Sequence, residues 1–268
     1  MSNPGLPVTI RTLKKMKAAG EKISCITAYD ASFAAQVDAA QIDVTLVGDS
    51  LGMVVQGHGT PVPVTIDHIV YHCKAVARGL QRSLLMADMP FMSYSDPEQA
   101  LRNAARLMQE GGAQMVKLEG GQLQVNVVEN MTARGIPVCA HLGLTPQSVH
   151  KLGGFFVQGK QQDAADRMLE DALALEQAGA DIVLLECVPD ALAKRIWEAV
   201  SIPVIGIGAG PNVDGQILVL YDVLNVTSGK KPKFSKNYLT EGRDVLGALQ
   251  AYNREVKEVL YPGVEHYG

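Results

Sequence analysis

The chain has no apolar run reaching about 18 residues, and its N-terminus lacks a hydrophobic signal core. A spanning or exported protein is therefore not expected, and the chain reads as soluble and cytoplasmic. It also has no Cys-x-x-C pair, since Cys25, Cys73, Cys139 and Cys187 are scattered and three of them lie in or beside apolar runs. They read as buried free thiols in a reducing compartment, and neither a disulfide framework nor a zinc cluster is expected. Neither sign of charge dominates, for the formal net charge is -4 and no long Lys/Arg run occurs. That balance leaves no electrostatic footprint for nucleic acid or a membrane surface. The nearest basic tract, residues 11–17 (RTLKKMK), reads as the solvated face of a first helix.

What is present suits a large α/β core. The 268 residues are 47% hydrophobic with 26 glycines, and no internal linker divides them, so residues 1–268 are expected to form one domain. The organising stretch is 43–57, DVTLVGDSLGMVVQG, in which an apolar run suited to a buried strand stops in Gly48, Asp49 and Ser50. Four later runs end in the same way, delivering Asp88, then Lys117 and Glu119, then His141, then Glu186. In a closed parallel barrel such strand ends ring one mouth, where that fold carries its active site.

Taken in order, Thr9 caps a helix to residue 19, and eight strand-like runs follow at 23–27, 44–47, 83–87, 114–118, from 137, after 179, 203–207 and 216–221. Helical patterns separate most of them, with Thr65, Asp96-Pro97 and Pro189 as helix starts, and residues 240–260 read as a closing helix. Residues 51–64 and 142–160 are rich in glycine or proline and read as long loops at the mouth. The expected fold is an α/β, single-domain (β/α)8 TIM barrel with an N-terminal helix. The connection between the seventh and eighth runs is too short for a full helix.

Asp49, Asp88 and Glu119 end three strands consecutive in sequence. Oxygen-only ligation from a few carboxylates suits a hard cation such as Mg²⁺, although each residue alone could equally cap a helix or pair with a base. Lys117 and Glu119, two apart on one strand, share a face with Met115, so both point inward. Lys117 there would bind an anionic substrate group such as a carboxylate, or form a salt bridge to Glu119 or Asp88. Glu186 ends an Ile/Leu strand whose apolar surroundings would raise its pKa and suit it to proton transfer; a helix cap or ion pair is the bland alternative. His141 reads as a hydrogen-bond donor to substrate or as a satisfied core histidine. The glycines of 206–210 either cradle a phosphate or allow a tight connection, and His58, His68 and His72 read as structural.

The segments ITAYD (26–30), LVGDSLGMVVQGH (46–58), ADMPFMSY (87–94), VKLEGG (116–121), HLGLTPQS (141–148), LLECVP (184–189), PVIGIGAG (203–210) and DGQILV (214–219) resemble the ketopantoate hydroxymethyltransferase family along nearly the whole chain. The resemblance implies a Mg²⁺-dependent barrel enzyme that moves a one-carbon unit from 5,10-methylenetetrahydrofolate to 3-methyl-2-oxobutanoate through a cation-stabilised enolate. It implies Asp49, Asp88 and Glu119 at the metal, Ser50 and Lys117 as substrate contacts together with Asp49 and Asp88, Glu186 as proton acceptor and His141 lining the site. It also implies a homo-oligomer, usually a decamer. Two positions depart from the pattern: Ala140 stands where the family commonly has glycine, and Phe156 where a basic residue is common. Two other readings are a Mg²⁺-dependent lyase of the phosphoenolpyruvate mutase and isocitrate lyase kind, and a non-catalytic keto-acid-binding protein. A lyase of that kind usually carries a cysteine on a mobile loop, and neither long loop here has one.

Overall fold

The computed structural model describes residues 5–228 and 231–267. Eight strands, β1 (Ile23–Thr27), β2 (Val44–Val47), β3 (Leu84–Asp88), β4 (Met115–Glu119), β5 (Val138–Gly143), β6 (Ile182–Glu186), β7 (Val204–Ile207) and β8 (Gly215–Leu218), form a closed parallel barrel in sequence order. The short β7–β8 connection carries no helix, as expected, yet both neighbours of β8 are paired, and the barrel closes through Ile23 against Gly215 and Ile26 against Leu218.

Each strand is buried on both faces, so it reads as a continuous apolar run, and the alternation of side chains shows only in where they go. One set, including Val44, Leu46, Leu84, Met86, Met115, Cys139, Ile182, Leu184, Ile205 and Ile207, packs in one core cluster. The alternate set, including Val47, Leu85, Ala87, Val116, Leu118, Val138, Ala140, Val183 and Leu185, packs in a second cluster with residues of the surrounding helices. Asp88, Lys117, Glu119, His141 and Glu186 continue the first set by the period of two, which aims them along the barrel interior.

The helix starts follow local chemistry. Thr9 caps Ile10–Ala19, Asp30 caps Ala31–Ala39, Thr65 caps Ile66–Gly79 in a reciprocal box with His68, and Asp96 with Pro97 opens Pro97–Gln109. Each cap satisfies a backbone donor that the first turn would leave orphaned, typically worth ~1 kcal/mol. The basic tract is only partly a solvated face. Lys17 is turned inward, 3.1 Å from Asp214 and donating to the carbonyls of Val200 and Ile202.

Three connections hold more helix than expected. Residues 51–64 open on the single turn Leu51–Val54, 142–160 contain Val149–Leu152, and the run expected as a strand to residue 221 stops at Leu218 before the turn Leu220–Val223. One turn is too short to show a period, which is why the pattern missed all three. The tail helix, Val245–Lys257, lies across the end opposite the charged mouth, where Tyr252 donates from its hydroxyl to the carbonyls of Cys25 (2.7 Å) and Gln216 (3.0 Å). At that same end Asp43 accepts from the Ser24 backbone N–H and pairs with Arg82 and Lys257. No helix of the described residues is long and apolar enough to cross a membrane.

Candidate active site

Lateral pairing brings the charged strand ends together. Asp88 is the register partner of Lys117, Glu119 of His141, and Gly143 of Glu186. Asp49, Asp88, Lys117, Glu119 and His141 are all 5% exposed or less, so these charges interact with little solvent screening. Lys117 Nζ lies 2.8 Å from Asp88 Oδ1 and 4.0 Å from Glu119 Oε1. Asp49 enters from just beyond β2, its backbone N–H donating to Asp88 Oδ2 at 3.1 Å. His141 connects the two sides of the mouth, with Nδ1 at 3.4 Å from Glu119 Oε1 and Nε2 at 3.3 Å from Glu186 Oε2. The wall against Glu186 is therefore not wholly apolar, contrary to the expectation from its Ile/Leu strand.

Two backbone features frame Glu186. Gly143 has φ 93, and a Cβ there would stand 2.3 Å from the Glu186 carbonyl oxygen, so no larger residue fits beside it. After Glu186 the chain leaves the sheet through Cys187 at φ 47, a left-handed conformation uncommon outside glycine and found at functional sites. Burial pushes the Cys187 thiol up to about 12, which suits a packed sulfur and not a nucleophile.

Electrostatics follow from this crowding. Burial raises the Asp49 carboxyl well above its usual range, and the like charges of Asp88 and Glu119 add to the effect. Burial alone would lower Lys117, but Asp88, Glu119 and Asp49 outweigh it and hold the ammonium charged. Burial and Lys117 would likewise lower His141; its contacts with Glu119 and Glu186 overcome them and raise it.

Among the described residues no three His, Cys, Asp or Glu side chains stand as a ready-made metal group. The donor chemistry nevertheless fits a hard divalent cation. Three buried carboxylates face one ammonium, which pairs most closely with Asp88 Oδ1, and Glu119 Oε1 is buried without a hydrogen bond. A cation would offset the excess negative charge that lifts Asp49, and all the donors are oxygen.

Two residues that sequence reasoning did not single out stand at the centre of this site. Gln147 is 4% exposed and donates from its amide to Asp49 Oδ2 (2.9 Å) and to the Met89 carbonyl (2.9 Å), while its backbone N–H donates to Glu119 Oε2 (3.1 Å). Tyr94 donates its hydroxyl to Gln147 Oε1 at 2.5 Å and accepts from the Glu119 backbone N–H at 3.3 Å. Both lie within family-like segments, Tyr94 in ADMPFMSY and Gln147 in HLGLTPQS, but neither ends a strand, so the strand-end pattern does not mark them. Beside them opens a cavity of about 190 Å³ lined by Phe91, Met92, Tyr94, Glu119, Gln124 and Gln147. Ser50 bonds the Tyr29 hydroxyl at 2.9 Å, and Phe156 is exposed between the turn Val149–Leu152 and the helix Gln162–Gln177.

The family model described as ketopantoate hydroxymethyltransferase matches residues 7–264. The chain belongs to that family. A 3-methyl-2-oxobutanoate hydroxymethyltransferase of Nitrosococcus oceani is 57% identical over 96% of this chain and 98% of its own length. One from Marinomonas sp. is 58% identical over 97% of this chain and 94% of its own. Among solved structures, phosphonopyruvate hydrolase in complex with oxalate and Mg²⁺ superposes with a TM-score of 0.61 at 13% identity, covering 79% of this chain and 80% of that one. The lyase 2,3-dimethylmalate lyase superposes at 0.58 with 14% identity, covering 78% and 80%. At that identity the likeness is one of fold. This ketopantoate hydroxymethyltransferase family member thus shares its barrel with the lyases weighed from the sequence, and its sequence with the transferases.

Proposed function

We propose that the chain transfers a hydroxymethyl group from 5,10-methylenetetrahydrofolate to 3-methyl-2-oxobutanoate, giving 2-dehydropantoate and tetrahydrofolate in pantothenate biosynthesis. The observation that carries this reading is one buried barrel mouth bearing Asp49, Asp88, Lys117, Glu119, His141 and Glu186 in a chain 57% identical to a curated transferase. Residues 1–268 are read as one catalytic domain.

Asp49, Asp88 and Glu119 would hold a divalent cation, with Mg²⁺ the choice that an all-oxygen donor set supports. When bound, such a cation supplies positive charge to the keto and carboxylate oxygens of a 2-oxo acid. Lys117, kept charged by its carboxylate neighbours, offers a second positive group to the substrate carboxylate, and the Ser50 hydroxyl a hydrogen bond. Glu186 is the proposed proton acceptor at C3 of the oxo acid. His141 Nε2 stands 3.3 Å from that carboxylate. One water is consumed in the transfer: it releases the one-carbon unit from the two folate nitrogens at the oxidation level of formaldehyde, the deprotonated C3 adds to that unit, and the water's oxygen becomes the new hydroxyl while both nitrogens leave as tetrahydrofolate.

The chain is further read as a cytoplasmic homo-oligomer, with a decamer as the assembly the family resemblance supports; exposed Leu123 and Tyr71 are apolar side chains available to such contacts. The deciding assay follows consumption of 3-methyl-2-oxobutanoate with and without 5,10-methylenetetrahydrofolate, in the presence and absence of Mg²⁺. Stoichiometric formation of 2-dehydropantoate that needs both is expected. Folate-independent cleavage of a 2-oxo acid would instead make it a lyase, and binding without turnover a sensor.

A further inference from the structure

Gln147 touches two of the three carboxylates through different atoms, and it comes from a part of the chain that contributes no strand end. Its amide NH₂ faces only acceptors, Asp49 Oδ2 and the Met89 carbonyl oxygen, each at 2.9 Å. Its amide oxygen faces the Tyr94 hydroxyl at 2.5 Å. The Tyr94 oxygen already accepts from the Glu119 backbone N–H, so the hydroxyl hydrogen is free to point at Gln147. A flipped amide would set its oxygen against a carboxylate and a carbonyl and its NH₂ against a hydroxyl that needs an acceptor. All three partners thus select one orientation.

The consequence is a division of labour within each carboxylate. Asp49 Oδ2 is held by the Gln147 amide, Glu119 Oε2 by the Gln147 backbone N–H, and Asp88 Oδ2 by the Asp49 backbone N–H. Of the opposite oxygens, Asp88 Oδ1 faces the Lys117 ammonium at 2.8 Å, and Glu119 Oε1 stands 3.4 Å from His141 Nδ1 and 4.0 Å from Lys117 Nζ. Neutral donors fix one oxygen of each group without neutralising its charge, and such supporting partners of metal-binding residues are where affinity is tuned.

We infer that Gln147, oriented by Tyr94, is a positioning residue that presents Asp49 and Glu119 to the divalent cation and couples the loops following β3 and β5 to the site. This rests on the proposed metal-dependent reading of the mouth.

The test is a titration of the purified full-length protein with Mn²⁺ followed by electron paramagnetic resonance, alongside thermal unfolding in a chelator. Gln147→Leu should weaken Mn²⁺ binding on the order of 10–100-fold. Tyr94→Phe, which keeps the ring, should weaken it on the order of tenfold. Because Tyr94 acts through Gln147, the double variant should bind no more weakly than Gln147→Leu alone. A merely structural role would lower the unfolding midpoint and leave the affinity of the folded variant untouched. Affinities of both single variants within about twofold of the parent, or additive losses in the double variant, would overturn the inference while leaving the metal reading intact. A parent protein that does not bind Mn²⁺ at all would remove the metal reading and this inference with it. Should Gln147→Leu not fold, Tyr94→Phe with unchanged affinity is sufficient to reject the role.

Discussion

Lys117 Nζ and Asp88 Oδ1 are 2.8 Å apart, and the two residues are lateral register partners on neighbouring strands. The pair is more than 95% buried on its lysine side and carries two further carboxylates around it. Its removal is therefore a question about charge left behind as much as about a lost contact.

Lys117→Met should destabilise the protein by about 3–5 kcal/mol, because Asp88, Glu119 and Asp49 would then crowd together without a compensating cation. Millimolar Mg²⁺ should recover part of that loss by binding the folded state, which denaturant unfolding with and without the ion would measure. An unchanged unfolding midpoint in chelator would mean that the pair contributes nothing to the fold.

Glu186→Ala should retain binding of 3-methyl-2-oxobutanoate but stop exchange of its C3 proton with deuterated water, followed by nuclear magnetic resonance. Exchange at the parent rate would take the proton-acceptor role away from Glu186.

Acid should loosen the C-terminal end in two steps. Burial holds His266 below the ordinary histidine value, so the unfolded chain binds the proton more readily and stability falls as pH drops through about 6.5. Burial alone would raise Glu255, but hydrogen bonds from Lys236 and Tyr238 hold it below the usual carboxylate range. Its contribution is present above about pH 4.3 and is lost as pH falls from there through the lower folded value. Urea midpoints measured from pH 8 to pH 3.5 should show both declines, and Glu255→Gln should flatten the lower one.

Tyr252→Phe should cost about 1–3 kcal/mol, since the carbonyls of Cys25 on β1 and Gln216 on β8 would lose a donor in a dry environment. Amide hydrogen exchange should rise first along the β8–β1 seam. Uniform protection across all eight strands would show that the tail helix does not secure the closure.

The order and type of the elements were legible in the chain because each strand is one apolar run and several helices announce their start through a cap such as Thr9, Thr65 or Asp96, while the longest, Gln162–Gln177, starts without a side-chain cap. The period of two also fixed which residues share a face, so Met115, Lys117 and Glu119 could be aimed inward before any coordinates. Single-turn helices such as Leu51–Val54 escaped because four residues cannot show a periodicity. Tertiary structure alone decided who meets whom: that Lys117 leans on Asp88 more closely than on Glu119, that His141 stands against Glu186, and that Gln147 and Tyr94 grip the carboxylates from two loops. A sequence pattern reports the period and polarity of a segment, whereas a hydrogen bond between residues 98 apart, like that from Gln147 to Asp49, depends on how the closed barrel brings its loop ends together.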